Sequence, residues 1–291
     1  MRIRYTIFLL ILFFVTAPCC VNVAKASHAD SLFVNKELQM EYLADLLGQT
    51  RFDGVVQDSI NGQLLPIVEQ TLKMKGSFDY EFINLKNISV VKSKDRRVRI
   101  FTWYTVDDEA NYRYYGFIQY DNGQQRLIAL NDAKDKIVNP NSASLTEKNW
   151  WGAVYYGIVE NSTSSGKLYT LIGWDGNGLY STRKVLESLY FTDKGQPRFG
   201  KMVFKVGRKK EKRMIFEYNK RATMMLNFDD MLNMIVFDHL AVYGDQDANN
   251  PMFLGPDSSH DGLRFQDDVW IHVPNIDYKK QAPVQKKRRL F

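Results

Sequence analysis

Leu168 to Phe191, LYTLIGWDGNGLYSTRKVLESLYF, is the stretch on which the fold turns. An apolar run ends at the polar corner Trp174-Asp175-Gly176-Asn177-Gly178 and leaves as a second apolar segment. Two glycines flanking Asn177 supply the positive φ that a sharp reversal requires. Beyond the corner, Ser181 or Thr182 suits a helix cap before Val185, Leu186 and Leu189, yet Val185, Leu189 and Phe191 equally suit a strand. The strand is the preferred reading, and it makes the stretch a hairpin. Ala153–Val159, the turn Asn161–Gly166 and Leu168–Gly173 supply a further hairpin before it.

Towards the N-terminus the period stays at two. Ile88–Val91, Val98–Tyr104, Tyr112–Tyr120 and Leu127–Leu130 are separated by a charged tip and by Asp121-Asn122-Gly123, which predicts a four-strand antiparallel meander. Residues 27–76 differ. Leu38, Tyr42 and Leu46, then Leu64, Val68 and Leu72, recur at helical spacing, and the turn-like Asn61-Gly62 divides two short helices. The polar stretch 132–149 is a long loop or linker. After the corner, Met202–Val206, Met214–Tyr218, Thr223–Phe228 and Met231–Phe237 read as strands. The segment 245–277 reads as a loop-rich cap in which only Leu263–Phe265 and Val269–Val273 are extended, and loops on rigid sheets display binding groups.

The expected fold is therefore α+β and mostly β: short N-terminal helices followed by a long antiparallel β meander over 77–278. The sheets form a sandwich or open barrel, with an irregular propeller-like arrangement as the alternative. Apolar residues make up 45% and aromatic residues 13% of the chain, enough to fill such a core and to exclude a disordered protein.

Residues 1–26 read as a secretory signal peptide. Arg2 and Arg4 precede the short apolar run Ile7–Val15, and Ala24-Lys25-Ala26 offers a small-x-small cleavage site. Both cysteines, Cys19 and Cys20, fall in this leader, so the mature chain would carry no thiol. Lipid anchoring at Cys19 or Cys20 is the rival, although Pro18 makes a poor lipobox. Either way the protein is expected to be exported, periplasmic or associated with the outer envelope. Removing the leader takes away Arg2, Arg4 and Lys25 and no acid, so the formal charge falls from +6 to +3. Much of the remaining positive charge sits in Arg208–Arg213, read as a solvated hairpin tip, and in the basic tail 279–291. No nucleic-acid partner and no membrane-spanning segment in the mature chain are expected.

The blocks Val98–Trp103, Gly173–Asn177, Phe237-Asp238-His239-Leu240 and Gly255-Pro256-Asp257 with Asp261-Gly262 resemble an uncharacterised family of exported proteins of the Bacteroidota. The resemblance covers nearly the whole mature chain and implies an envelope location.

Candidate chemistry concentrates in Asp238, His239, Asp257, His260 and Asp261, a set of carboxylates and imidazoles suited to acid–base work or a divalent cation if the last loop folds over the Met231–Phe237 strand. The spacing matches no metal signature, and a triad drawn from Ser258 or Ser259 lacks a nucleophile elbow. Asp175-Gly176-Asn177-Gly178 has the beginning of a calcium loop, but Glu187 falls one place late for its end. The five tryptophans suit either a core or a face for stacking sugars, with Trp174, at a polar corner, the one suited to binding. The expected binding residues are Trp174, Asp175, Asp238, His239, Asp257, His260 and Asp261. No metal or cofactor is expected. The leading function is a noncatalytic exported envelope protein whose partner is a glycan or an envelope protein. The alternative is an envelope hydrolase acting on glycan or cell-wall material through Asp238, His239 and the 255–262 loop.

Overall fold

The computed structural model describes residues 23–278. The expected leader's apolar run, Cys19, Cys20 and the tail 279–291 lie outside these residues, and the expected cleavage point after Ala26 falls in the first turn of the first helix. Among the described residues no helix is long and apolar enough to cross a membrane.

The chain opens with α1 (Val23–Gln49) and α2 (Gly54–Lys73). Asp53 caps α2 by accepting from the Val56 N–H, so the turn lies at 50–53 and not at Asn61-Gly62. Asn61 sits inside α2, where its Oδ1 accepts from Trp103 Nε1 at 2.8 Å; this distant partner overrides the local turn preference. The buried face of α1 carries Phe33, Met40, Leu43, Ala44 and Leu47. Leu38 and Tyr42, expected on that face, are 52% and 65% exposed.

Among the described residues fifteen strands follow. β1 (Ser89–Lys92), β2 (Val98–Val106), β3 (Tyr112–Asp121) and β4 (Gln125–Asn131) form the expected antiparallel meander. Next come β5 (Val154–Thr163), β6 (Gly166–Asp175), β7 (Ser181–Phe191), β8 (Pro197–Phe199), β9 (Phe204–Val206) and β10 (Lys209–Glu211). The last are β11 (Arg213–Asn219), β12 (Leu226–Asp229), β13 (Met234–Val242), β14 (Leu254–Gln266) and β15 (Val269–Val273). A second sheet runs β11-β7-β6-β5 with β8 attached to β7, and a third runs β10-β9-β15-β14-β13-β12. Among the described residues every strand-to-strand pairing is antiparallel except β15 with β9, and no sheet closes into a barrel.

Alternation along the strands turns the sheets into layers. On one face of the first sheet Phe101, Trp103 and Phe117 pack under the two helices. On its other face Val98, Ile100, Tyr114 and Ile118 meet Trp150, Tyr155, Leu171, Val185 and Leu189 of the second sheet and the strand leading into it. The second sheet's far face, with Leu168, Ile172 and Leu186, meets Phe204, Leu226, Ile235, Phe237, Leu263 and Trp270 of the third. The order is helices, first sheet, second sheet, third sheet, and the middle sheet is covered on both sides.

Three expectations need correction. The loop-rich cap is loop only up to Phe253: residues 254–266 form one strand, β14, which pairs with β13 at 254–256 and 260–264 and with β15 at 262–266. Gly255 and Pro256 have low strand propensity but are held extended by pairing with Ala241 and Leu240 of β13, while Asp257, Ser258 and Ser259 form a bulge opposite His239, with Ser258 at φ 74°. The basic hairpin tip holds for β10 but stops at Arg213, which is fully buried. The corner after β6 turns on Asn177, at φ 60°, with neither Gly176 nor Gly178 in the left-handed region. Gly176 is needed for closeness, since a Cβ there would lie 2.3 Å from the Tyr112 ring.

Candidate functional site

Two clusters of polar and aromatic side chains stand out. The first surrounds the corner between β6 and β7. Asp175 ends β6 fully buried, and its Oδ1 accepts from Tyr114 Oη, Lys134 Nζ and the Asn177 N–H at 2.8, 2.8 and 3.0 Å. Its Oδ2 takes Arg183 at 3.5 Å, and Arg183 also pairs with Glu217. The Gly176 N–H donates to Tyr114 Oη at 2.7 Å, so the corner backbone is bolted to β3 of the first sheet. Burial, and then the negative Asp175 beside it, push the Tyr114 phenol well above its ordinary pKa, which keeps it a neutral donor.

Over this base lies a cluster of rings. Tyr104 and Tyr112 approach the Trp174 ring edge-on, with centroids at 5.4 and 5.7 Å. These geometries fit the ring quadrupoles. Lys220 lies over both Tyr112 and Trp174, at 4.7 and 6.0 Å from their centroids, and donates to the Gly176 carbonyl at 2.6 Å. Arg51 donates to Tyr104 Oη at 2.7 Å. Burial lowers the Lys220 pKa, and the nearby Arg51 and Lys134 press it the same way against the pull of Asp175. Trp174 is half-buried, while Leu179 and Tyr180 at the tip of the corner are exposed, Tyr180 by 65%. Beside Tyr112 a cleft of about 280 Å³ opens, lined by Tyr114, Asp132 and Lys134 among others.

The second cluster is the expected histidine and carboxylate set. In the β13–β14 register Asp238 stands opposite His260 and Phe237 opposite Asp261, so the two pairs project from opposite faces of the sheet. Asp238 and His260 meet at 3.3 Å on one face, and Asp238 Oδ2 also accepts from the Met225 N–H. On the other face Asp261 Oδ2 lies 3.0 Å from both His239 Nδ1 and His272 Nε2, while its Oδ1 accepts from the Asn275 N–H. The hydrogen bond to Asp261 raises the His239 pKa against the opposing effect of burial. Burial would raise Asp261, but its hydrogen bonds from His239, Asn275 and His272 hold it below the usual carboxylate range. Asp257 is exposed and accepts from Ser259.

The structure thus joins Trp174 to Asp175 in one cluster and splits the remaining five residues. Asp238 goes with His260, His239 goes with Asp261, and Asp257, hydrogen-bonded to Ser259, reaches His239 only through its charge. Among the described residues no group of three or more His, Cys, Asp or Glu side chains is disposed to hold a metal ion. The calcium pattern fails on its own donors, because Asp175 is committed to Tyr114, Lys134 and Arg183, and Glu187 to Arg213. Ser259 Oγ donates to Asp257, not to an imidazole. Sequence reasoning missed Arg51, Tyr104, Tyr112, Lys134, Lys220 and His272. Only the tyrosines left a signal there, as Tyr112 and Tyr114 share one face at the start of β3.

Comparison of the chain with family models, with curated proteins and with solved structures returns no match.

Proposed function

We propose that this chain is an exported envelope component that binds its partner through the Trp174 corner and carries out no chemistry there. The observation that carries the reading is the half-buried Trp174 flanked by Tyr104 and Tyr112, held on a buried Asp175 base and bordered by the exposed Tyr180. Trp174, Tyr104 and Tyr112 come from three strands in two sheets, so the cluster is rigid before any ligand arrives. Aromatic faces at a polar rim suit sugar rings, which present apolar C–H faces and polar edges. The leader-like N-terminus and the resemblance to exported Bacteroidota proteins support a glycan-rich location. Equilibrium binding of the mature chain to envelope polysaccharide fragments tests this. Saturable binding that Trp174→Ala abolishes is expected, and binding indifferent to Trp174→Ala would overturn it.

A second reading is an envelope hydrolase. What favours it is the pair of His–carboxylate contacts, Asp238 with His260 and His239 with Asp261, each of which suits proton transfer. Its residues face opposite sides of β13, so only one pair at a time can meet a substrate. Fragment hydrolysis lost in His239→Ala or His260→Ala would favour this reading over binding.

A further inference from the structure

Resting on the binding reading, we infer that the ligand of the Trp174 corner is an acidic saccharide, a sugar ring carrying a carboxylate, sulfate or phosphate. The charge arrangement carries the inference. Four cations, Arg51, Lys134, Arg183 and Lys220, gather around the corner, where Asp175 and Glu217 are the carboxylates that form ion pairs with them and Asp132 accepts from the Tyr114 and Lys134 N–H groups. Asp175 and Glu217 are already taken: Lys134 and Arg183 share Asp175, and Arg183 also takes Glu217. Among the described residues no ion pair ties Arg51 or Lys220 to an acid. Their donors go to neutral oxygens, Tyr104 Oη for Arg51, and the Gly176 carbonyl and Tyr112 Oη for Lys220.

Two cations without a direct ion pair beside half-buried rings cost desolvation that an anion would relieve, and charge-assisted hydrogen bonds to an anion are about twice as strong as neutral ones. The geometry also supplies the other half of the ligand. The Lys220 N–H donates to the Tyr180 carbonyl at 3.0 Å, so the backbone carrying the exposed Tyr180 ring is fixed next to the cation. A sugar resting on Trp174 and Tyr180 would hold its acidic substituent within reach of Lys220 and Arg51. A neutral glycan would satisfy the rings and leave the cations as they are.

The test compares four probes on the full mature chain: an oligogalacturonate, its carboxyl-reduced counterpart, a dextran sulfate oligomer and its unsulfated dextran counterpart. At least one acidic probe is expected to bind roughly tenfold tighter than its neutral partner, with the advantage shrinking as salt rises from about 50 to about 500 mM. Lys220→Gln and Arg51→Gln should each bring the acidic-over-neutral affinity ratio most of the way to one, whatever they do to the absolute affinity, whereas Trp174→Ala should weaken acidic and neutral probes alike. Equal, salt-insensitive binding of acidic and neutral partners that still requires Trp174 would overturn the inference and leave the binding reading standing. Failure of all four probes, or binding indifferent to Trp174→Ala, would overturn both.

Discussion

Arg213 and Glu187 form an ion pair in which both side chains are fully buried, with Nε 2.7 Å from Oε1. It holds edge strand β11 to β7 in the middle sheet. Glu187 Oε2 accepts from Tyr155 Oη at 2.5 Å, Tyr155 Oη accepts from Trp150 Nε1 at 2.7 Å, and Arg213 also donates to the Pro140 carbonyl. Its guanidinium lies over the Trp151 ring at 5.7 Å. One network therefore ties the stretch expected to be a linker, residues 132–149, to three strands.

Breaking that pair leaves a buried charge without a partner. Glu187→Gln should cost about 3–5 kcal/mol, while the double change Glu187→Leu with Arg213→Met should cost less than either single change. Urea unfolding monitored by tryptophan fluorescence reads both. A double variant less stable than the sum of the singles would show that the pair does not act as a unit.

Arg99 is buried and, among the described residues, makes no direct ion pair, with Glu81 and Asp79 acting on it only through the longer-range field. Its fork donates to Gln119 Oε1 and to the Tyr80 and Ser77 carbonyls, and its plane lies 5.0–5.6 Å from the rings of Phe78, Phe82 and Phe101. Burial lowers its pKa to about 10. A lysine keeps the charge but cannot reproduce the fork, so Arg99→Lys should destabilise by about 2–3 kcal/mol. An unchanged denaturation midpoint would mean that these hydrogen bonds carry little net energy.

At the corner, Gly176→Ala would place a methyl 2.3 Å from Tyr112 Cε1, and the ring must move. Trp174 then loses an edge-on neighbour and Lys220 loses the ring beneath it. The expected outcome is a shifted tryptophan emission and at least tenfold weaker ligand binding, from a loss of about 1.5 kcal/mol or more, with near-normal strand content by circular dichroism. Wild-type binding in this variant would separate the ligand from the Tyr112 ring.

The His239–Asp261 contact makes stability depend on pH in a signed way. His239 has a folded pKa above its ordinary 6.5, so its contribution is complete below that pH and fades as pH rises through the raised value. Asp261 has a folded pKa below 3.8, so its contribution is complete above that pH and fades in stronger acid. Both are present between these limits. Because His239 is half exposed, its part is small, about 0.5 kcal/mol. The urea midpoint should fall from pH 6 to pH 8 in the wild type and less steeply in His239→Gln, and parallel curves would contradict the assignment.

Much of the architecture was legible because period-two alternation directly reports half-buried strands, as in Val98–Val106 and Tyr112–Asp121. Elements decided by distant partners were not. Asn61-Gly62 has turn chemistry, but Trp103 from another element satisfies Asn61 within α2. The β14 strand was hidden because Gly255, Pro256 and the bulge at 257–259 carry weak local preference, and the pairing on either side of that bulge comes from β13 and, from Gly262 onward, β15. Asp175 could be picked out as a candidate, yet the residues that define its surroundings, Tyr114, Lys134, Arg183 and Lys220, come from β3, the long loop, β7 and the turn after β11. No local pattern connects them.

The layered order of the sheets bears on how the chain is born. By Asn131 the ribosome has delivered both helices and the first sheet, but the side bearing Val98, Ile100, Tyr114 and Ile118 has nothing to rest on until β5–β7 are made. At about 5–20 residues per second, synthesis from Asn131 to Phe191 lasts several seconds. During that interval the nascent chain offers a holdase an oily sheet. Crosslinks to a holdase from chains arrested at Asn131, lost when arrest is moved past Asn219, would mark the interval's beginning and end.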